Sequence, residues 1–297
     1  MSLGEEPADA AAQLVLFSDD GEPAQRVGPR LPELVPIPLP PLEPVRRLSF
    51  TALASFERCS YRYYAERLVG MRALEPVGEG DGLGALDVGD AVHRLLETID
   101  VRAPQVVGLD RVRTWFPRVT DEELHLIAGF VASYCSSPLA QRVAALDGVQ
   151  TEVQFSFEHD GVLIRGFLDA LHRDGDRALV VDYKTNTLAE HSPEEIVEHE
   201  YRLQRLVYAL ACFRSGASEV EVVYCFLERA DAMVATVFSA DDLTALETEL
   251  SEAIGRIQAG KFVPTPSDYA CAGCPALDVV CAGPRLRSAA HALEPVA

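Results

Sequence analysis

Apolar residues along this chain recur first at helical spacing and then at strand spacing. Up to Ala145 they return every three to four residues, whereas from Gln150 they alternate with polar residues, and these two periods are typical of helices and strands. The predicted helices lie at about 49–68, 87–98, 109–116, 121–145, 193–214 and 241–259. The predicted strands lie at about 151–157, 162–171, 178–184, 219–227 and 233–238. This order indicates an α/β core with an N-terminal helical elaboration.

Three charged residues lie on the second and third predicted strands, where charge is uncommon. Asp169 is on the second strand, Asp182 and Lys184 are on the third, and the polar segment Arg173–Arg177 joins them as a hairpin. Asp182 and Lys184 are two residues apart and therefore share a face, and a hairpin can bring Asp169 close to Asp182. Charges that converge in this way cost desolvation energy unless a ligand compensates them. The pattern favours a divalent cation with a phosphate, and an exposed hairpin with scattered charges is the alternative.

Hydrolysis of a phosphodiester is a reaction that uses this set of side chains. It needs a deprotonated water and cations that neutralise charge on the phosphate and the leaving oxygen, and Mg²⁺ or Mn²⁺ held by carboxylates supplies both. Under this hypothesis Asp169 and Asp182 are the metal ligands. Lys184 orients the water and stabilises charge in the transition state.

Composition limits the setting of such a site. The chain has 297 residues, of which 48% are hydrophobic, so it can bury a substantial core. No apolar run approaches the length of a membrane span and no signal peptide heads the chain, which predicts a cytoplasmic protein without a membrane partner. The net charge of −20 argues against broad contact with phosphates, but it remains compatible with a local basic groove or bound cations.

The N-terminal segment has the composition of a linker. Nine of the 19 prolines fall before Val45, together with eight acidic and two basic residues, and such a segment cannot build a core. Residues 1–47 are therefore predicted to be a disordered, Pro-rich leader. The folded domain is predicted to span residues 48–297.

The cysteines divide into two groups by context. Cys135, Cys212 and Cys225 lie in apolar helices or strands and are interpreted as core residues. The other group lies mainly in the Pro/Gly-rich tail, where two cysteines separated by two residues form a natural metal clip with a third close behind. A fourth ligand is needed, and zinc would accept the nearby His291. The three tail cysteines are Cys271, Cys274 and Cys281.

The residues around the charged hairpin resemble the PD-(D/E)xK nuclease superfamily, and within it the RecB-like branch, over most of the chain after Leu48. Gly166-Phe167-Leu168-Asp169 resembles the first acidic motif and Asp182-Tyr183-Lys184 the second. The resemblance implies a restriction-endonuclease-like core, which is a central mixed sheet flanked by helices. The implied catalytic residues are Asp169, Asp182 and Lys184, and the hairpin residues implied at the metal are Asp169, Asp182 and Tyr183.

Three further positions match motifs of this branch. The helix before the core carries a metal-binding histidine in the family, and the segment Gly89–Glu97 resembles it and implicates His93. A Gln-x-x-x-Tyr motif follows the lysine, and Gln204 and Tyr208 fit it as residues that hold DNA near the metals. Glu152, on the first core strand, is assigned with them more loosely. Without the family, each of these residues also fits an ordinary helix or strand position.

The cysteines extend the resemblance to a cofactor. AddB-type and Cas4-type relatives bind a [4Fe–4S] cluster through one cysteine before the core and three after it. Cys59 matches the first of these, and Cys271, Cys274 and Cys281 match the trio. Such a cluster would fasten the tail to the first helix, because it closes a loop of about two hundred residues. Zinc remains the alternative metal.

The resemblance implies a metal-dependent DNA nuclease, expected to act as an exonuclease on single-stranded DNA. The junction after the leader resembles that of UvrD/AddA-type helicase–nucleases, which process double-strand breaks. The chain contains no phosphate-binding loop of the Gly-x₄-Gly-Lys-Ser/Thr type, so the motor is expected in an upstream helicase domain or a partner subunit. The alternatives are a free-standing Cas4-like nuclease and a catalytically idle scaffold of the same fold.

Overall fold

A mixed six-stranded sheet runs through the described part of the chain. The computed structural model describes residues 45–72, 82–188, 192–271 and 273–284, all within the unit Leu42–Ala297. The predicted leader up to residue 44 and the alternative zinc ligand His291 lie outside the described residues. No helix in the described ranges is both long and apolar enough to cross a membrane.

Strand β3 is the centre of the sheet. One of its edges pairs with β2 in antiparallel fashion, and the other pairs first with β1 and then with β4. The sheet continues through β5 to β6, in the order β1-β3-β4-β5-β6. The β1–β3 and β4–β5 pairs are parallel, so the sheet is mixed. The strands are β1 Arg47–Ser49, β2 Gln150–His159, β3 Val162–Asp174, β4 Arg177–Lys184, β5 Glu219–Phe226 and β6 Met233–Ser239.

Helices cover both faces of this sheet. On one face, helices α3, α4, α5 and α6 pack against β4 and β5 in a single hydrophobic core. On the other face, helices α1, α7, α8 and α9 pack against the strands in two further cores. The predicted central mixed sheet flanked by helices is thereby confirmed. The helices are α1 Phe50–Arg58, α2 Ser60–Tyr63, α3 Ala85–Thr98, α4 Leu109–Trp115, α5 Asp121–Cys135, α6 Pro138–Ala144, α7 Pro193–Glu200, α8 Arg202–Arg214, α9 Leu243–Gln258 and α10 Asp268–Cys271.

Three helices predicted as continuous are interrupted. The first breaks at Cys59, which is extended at φ −160°, and the segment Tyr64–Leu68 that follows α2 is a π-helix. The second breaks before Pro138, because the residue that precedes a proline is driven out of the helical region. The third breaks at Tyr201, which has φ −121° and ψ 6°. Apolar periodicity continues across all three breaks, so it could not indicate them.

The β3–β4 hairpin is tighter than predicted. Its turn is the two residues Gly175 and Asp176, with Gly175 at φ 59°, rather than the five-residue segment Arg173–Arg177. Asp174 pairs with Arg177 across the turn. The extra pairs lengthen the ladder, which fixes the register of the two strands up to the charged residues.

Candidate active site

Three acidic residues form one row across neighbouring strands. Ala170 of β3 pairs with Val181 of β4 at the end of that ladder, and Asp169 and Asp182 are the next residues on the two strands. On the other edge of β3 the ladder pairs Thr151 with Ala170 and Val153 with Leu168, which places Glu152 opposite Asp169. Cross-strand neighbours lie about 5 Å apart at Cβ. The hairpin register therefore brings the two predicted carboxylates together and adds a third from β2.

The carboxylate of Asp169 is held in position by the backbone of Tyr183, near the end of β4, and by His93 of α3. Its Oδ2 accepts a hydrogen bond of 2.8 Å from the backbone N–H of Tyr183 and lies 3.4 Å from Nδ1 of His93. Burial alone raises the pKa of Asp169, but the charges of His93 and Lys184 outweigh it, so the pKa is lower than usual. Asp169 is therefore an ionised carboxylate held in a fixed position.

Helix α3 can bring His93 close to Asp169 because Gly89, one turn earlier, has no side chain. A Cβ on Gly89 would lie 3.2 Å from Oγ1 of Thr185, so glycine lets the helix approach the end of β4. Burial alone lowers the pKa of His93, but Asp169 and Asp182 outweigh it and raise the pKa to about 9. A cation that binds the imidazole must therefore displace a proton.

His93, Glu152 and Asp169 together have the geometry of a metal site. One possible ligand atom from each lies within 4.8 Å of the other two. Imidazole nitrogen and carboxylate oxygen are suitable ligands for Mn²⁺, and carboxylates for Mg²⁺. Glu152 has φ 49°, a backbone conformation that is costly for a residue with a side chain and that clusters at functional sites. The residues present thus fit a divalent cation.

A buried network fixes the other two charged residues of the hairpin. Asp182 Oδ2 lies 2.5 Å from Nζ of Lys184, and Oδ1 accepts hydrogen bonds of 2.8 Å from Nε2 of Gln204 and from the phenol of Tyr208. Nζ of Lys184 donates to Oε1 of Gln204 at 3.0 Å. Burial raises the pKa of Asp182, and Lys184 partly offsets this effect. One amide thus orients both the acid and the ammonium.

Aromatic rings enclose this network. The ring of Tyr208 packs edge-on against Phe50 and Phe155, at centroid distances of 5.8 and 6.0 Å. Gly166 makes room for them, because a Cβ there would lie 2.7 Å from Phe155 and 3.0 Å from Phe50. The glycine of the first acidic motif therefore permits the packing that holds Tyr208 on Asp182.

Lys184 itself lies over an aromatic surface. Its Nζ is 4.3 Å from the ring centroid of Tyr201 and 5.4 Å from that of Tyr224, within the range of cation–π attraction. Tyr201 is the residue that separates α7 from α8, and its phenol donates to Oδ1 of Asn186 at 2.7 Å. The break between the two helices thus has a role in positioning the lysine.

The structure separates the roles assigned to the other predicted residues. Gln204 and Tyr208 are only 3% and 1% exposed, so they contact the acidic network, and direct contact with DNA stays a prediction. The ring of Tyr183 packs against that of Tyr134 at a centroid distance of 4.8 Å, and the metal contact predicted for Tyr183 stays a prediction. Glu152, which was grouped with the DNA-holding residues, lies close to His93 and Asp169, and its contact with DNA stays a prediction. Its cross-strand position could be inferred only from the strand register.

The four predicted cluster ligands converge at the end of α1. Cys59, Cys271, Cys274 and Cys281 line one small cavity together with Arg62 and neighbouring prolines. The backbone N–H of Thr265 donates to Cys59 Sγ at 3.5 Å, and that of Gly283 donates to Cys281 Sγ at 3.4 Å. The remaining cysteines lie elsewhere: Cys212 and Cys225 are fully buried, and burial raises their pKa values to about 11 and about 12.

The chain belongs to the PD-(D/E)XK nuclease superfamily, whose family model matches residues 47–281. It is similar to the A subunit of the ATP-dependent helicase/nuclease from Bacillus cereus (strain ATCC 10987 / NRS 248), with 25% identity over 164 residues, which cover 46% of this chain and 13% of that protein. The protein of the same name from Bacillus mycoides (strain KBAB4) is 24% identical over 164 residues, which again cover 46% of this chain and 13% of that protein. The chain thus spans about one eighth of the length of these relatives.

Two solved structures show a weaker likeness. A protein described as a candidate exonuclease from Eubacterium rectale has a TM-score of 0.47 and 15% identity, covering 74% of this chain and 84% of that chain. A second crystal structure has a TM-score of 0.34 and 16% identity, covering 67% of this chain and 95% of the other. Likeness at this level supports no inference about activity.

Proposed function

We propose that this chain is a Mg²⁺- or Mn²⁺-dependent nuclease that hydrolyses phosphodiester bonds in single-stranded DNA, acting as an exonuclease. The observation that carries the proposal is the grouping of His93, Glu152 and Asp169 beside the buried Asp182–Lys184 pair. Family membership supports the reaction class. A catalytically idle scaffold would have no need for five ionisable groups that converge at a cost in desolvation.

Each residue has a distinct part in the proposed reaction. His93, Glu152 and Asp169 would hold the cation, with Asp182 and the carbonyl of Tyr183 next to them. The bound cation supplies Lewis-acid stabilisation and a more acidic water. Lys184 places a fixed positive charge next to the carboxylates, where it stabilises charge on the phosphate and orients the attacking water. Gln204 keeps Nζ of Lys184 in place.

Cleavage of end-labelled oligonucleotides tests this proposal. With Mg²⁺ or Mn²⁺ the protein is expected to shorten single-stranded DNA progressively from an end, and excess EDTA is expected to stop the reaction because carboxylate sites lose their cation to the chelator. Circular single-stranded DNA is the control for exonuclease action, since it offers no end. Cleavage that persists in EDTA would contradict the proposed dependence on a divalent cation. Cleavage of the circular DNA would contradict the exonuclease assignment.

We further propose that this nuclease works with a DNA-unwinding motor, provided by an upstream domain or a partner subunit. Support comes from the relatives, which are named as subunits of ATP-dependent helicase/nucleases and are much longer than this chain. A motor would supply the single strands that the proposed site needs. Processing of double-strand breaks is the setting that such a pair fits.

We also propose that Cys59, Cys271, Cys274 and Cys281 bind a [4Fe–4S] cluster. The four side chains line one small cavity, and four cysteine thiolates are the usual ligand set of such a cluster. The N–H groups directed at Cys59 and Cys281 are of the kind that stabilise cluster sulfur.

Cys59→Ser is expected to abolish the cluster and loosen the tail from α1. Purified parent protein should be brown and contain about four iron atoms per chain, whereas the variant should be colourless, with residues 259–284 cleaved faster by protease. Cys135→Ser is the matched control, since that thiol lies on α5 away from the four, and it should keep its iron. Stoichiometric zinc in the parent, or unchanged iron in Cys59→Ser, would contradict the assignment.

A further inference from the structure

Strands β2, β3 and β1 present an exposed face that continues from the acidic row. Along β3 the side chains alternate strictly, with Val162, Ile164, Gly166 and Leu168 buried and the residues between them exposed. Their partners on β2 are exposed as well, and so is Arg47 on β1, the partner of Leu163. We call this surface the outer strand face. It consists of Gln154, Ser156 and Glu158 on β2, Leu163, Arg165 and Phe167 on β3, and Arg47 on β1.

The outer strand face is ordered in rows by the strand register. Gln154 pairs with Phe167 in the row next to Glu152 and Asp169. Ser156 and Arg165 form the following row, and Arg47 lies beside Leu163 in the row after that. Rows on one face are about 7 Å apart because the rise is about 3.3 Å per residue. The surface therefore leads from the acidic row outward in a straight path.

Phe167 is the unusual residue on this surface. Its side chain is 50% exposed in the middle of a strand, so the ring offers a flat apolar surface to solvent. The adjacent row supplies the guanidinium group of Arg165, and Gln154 supplies an amide in the same row as Phe167. An exposed ring in line with guanidinium groups is the combination that single-stranded nucleic acid binds, by base stacking and phosphate contact.

Charge agrees with a nucleic-acid occupant. Arg47 and Arg165 are exposed and form no ion pair within the part of the chain that the structure describes, although the whole chain carries a charge of −20. The guanidinium groups of Arg47 and Arg165 are therefore available to bind phosphates. The acidic member, Glu158, lies in the row farthest from the acidic site.

We propose that the outer strand face is the track along which single-stranded DNA reaches the active site, with Phe167 stacking a base next to the acidic row and Arg165 binding a phosphate one row beyond. This inference rests on the proposed nuclease function and adds the path of its substrate. Stacking on Phe167 needs an unpaired base, so the track selects single strands over duplex. Arg47 continues the same path.

Binding of fluorescent oligothymidine, measured by anisotropy in EDTA on the full chain, tests the track. Phe167→Ala is expected to weaken binding about tenfold, from the usual worth of one stacked base, whereas Phe167→Trp should retain it. Val237→Ala removes another exposed apolar side chain, 59% exposed on β6, and should bind like the parent. Equal affinity of Phe167→Ala and the parent would overturn the stacking role.

The salt dependence of the same binding tests Arg165. Arg165→Gln should lower the slope of log affinity against log salt by about 0.7, the value for one phosphate on a single strand. Arg111→Gln, an exposed arginine on α4, is the matched control and should leave the slope unchanged. An unchanged slope for Arg165→Gln would overturn its phosphate contact.

The cleavage assay separates the two levels of the proposal. If the parent cleaves single-stranded DNA and both track variants have the parent KM and affinity, the nuclease function stands and the track is wrong. If the parent does not cleave with any divalent cation, the proposed function is wrong. A raised KM for Phe167→Ala, with little change in kcat, supports the track.

Discussion

Lys184→Met will lower the rate of metal-dependent DNA cleavage by about 10²- to 10³-fold, the usual cost of removing one group that stabilises transition-state charge. The methionine keeps the side-chain volume but removes the ammonium that lies 2.5 Å from Asp182. Single-turnover cleavage of end-labelled single strands measures the effect. Circular dichroism and thermal unfolding report whether the variant still folds.

The chain offers a matched control for this substitution, because it contains only one other lysine. Lys261 is exposed in the segment after α9, so Lys261→Met changes the same charge at a distant position. It should cleave DNA at the parent rate. A folded Lys184→Met variant that also cleaves at the parent rate would show that the active site has been assigned to the wrong residues.

Gln204→Met will lower kcat about ten- to a hundredfold and leave KM for DNA nearly unchanged. The buried amide donates to Asp182 and accepts from Lys184, so its removal frees both groups from their productive positions, and small misplacements are costly in catalysis. The loss also leaves buried polar atoms without a partner, which should lower the free energy of unfolding by about 1–3 kcal/mol. Steady-state kinetics and urea denaturation measure the two effects.

This experiment also decides between two roles for the glutamine. If Gln204 holds DNA directly, as the sequence motif suggests, KM should rise and kcat should change little. If it positions Lys184 and Asp182, the reverse holds. Gln258→Met, on the exposed side of α9, is the control and should alter neither constant. A parent-like kcat for Gln204→Met would remove the positioning role.

The hairpin shows how far sequence reasoning reached. The spacing of Asp182 and Lys184 predicted a shared face, and both side chains do contact Gln204. The turn was predicted too long, because polar residues such as Arg173 and Arg177 were assigned to a loop although they pair in the ladder. Polarity marks exposure, and exposed residues at the end of a hairpin can still belong to strands.

Glu152 shows where that reasoning ended. Its proximity to His93 and Asp169 depends on the pairing of β2 with β3 and on a backbone at φ 49°. Neither can be derived from the local pattern, because strand register is set by contacts between segments distant in sequence. The same holds for the outer strand face, whose direction toward the acidic row follows only from the register.

The sequence by itself determined the superfamily, the order of the elements and the set of chemical groups, since motif spacing and apolar periodicity are local properties of the chain. The tertiary structure decided which groups meet. It placed Glu152 with the histidine and turned Gln204 and Tyr208 inward to Asp182. It also brought Cys59 to the tail cysteines across about two hundred residues. Those outcomes depend on strand register and helix packing, which arise from long-range burial and steric fit that no local pattern encodes.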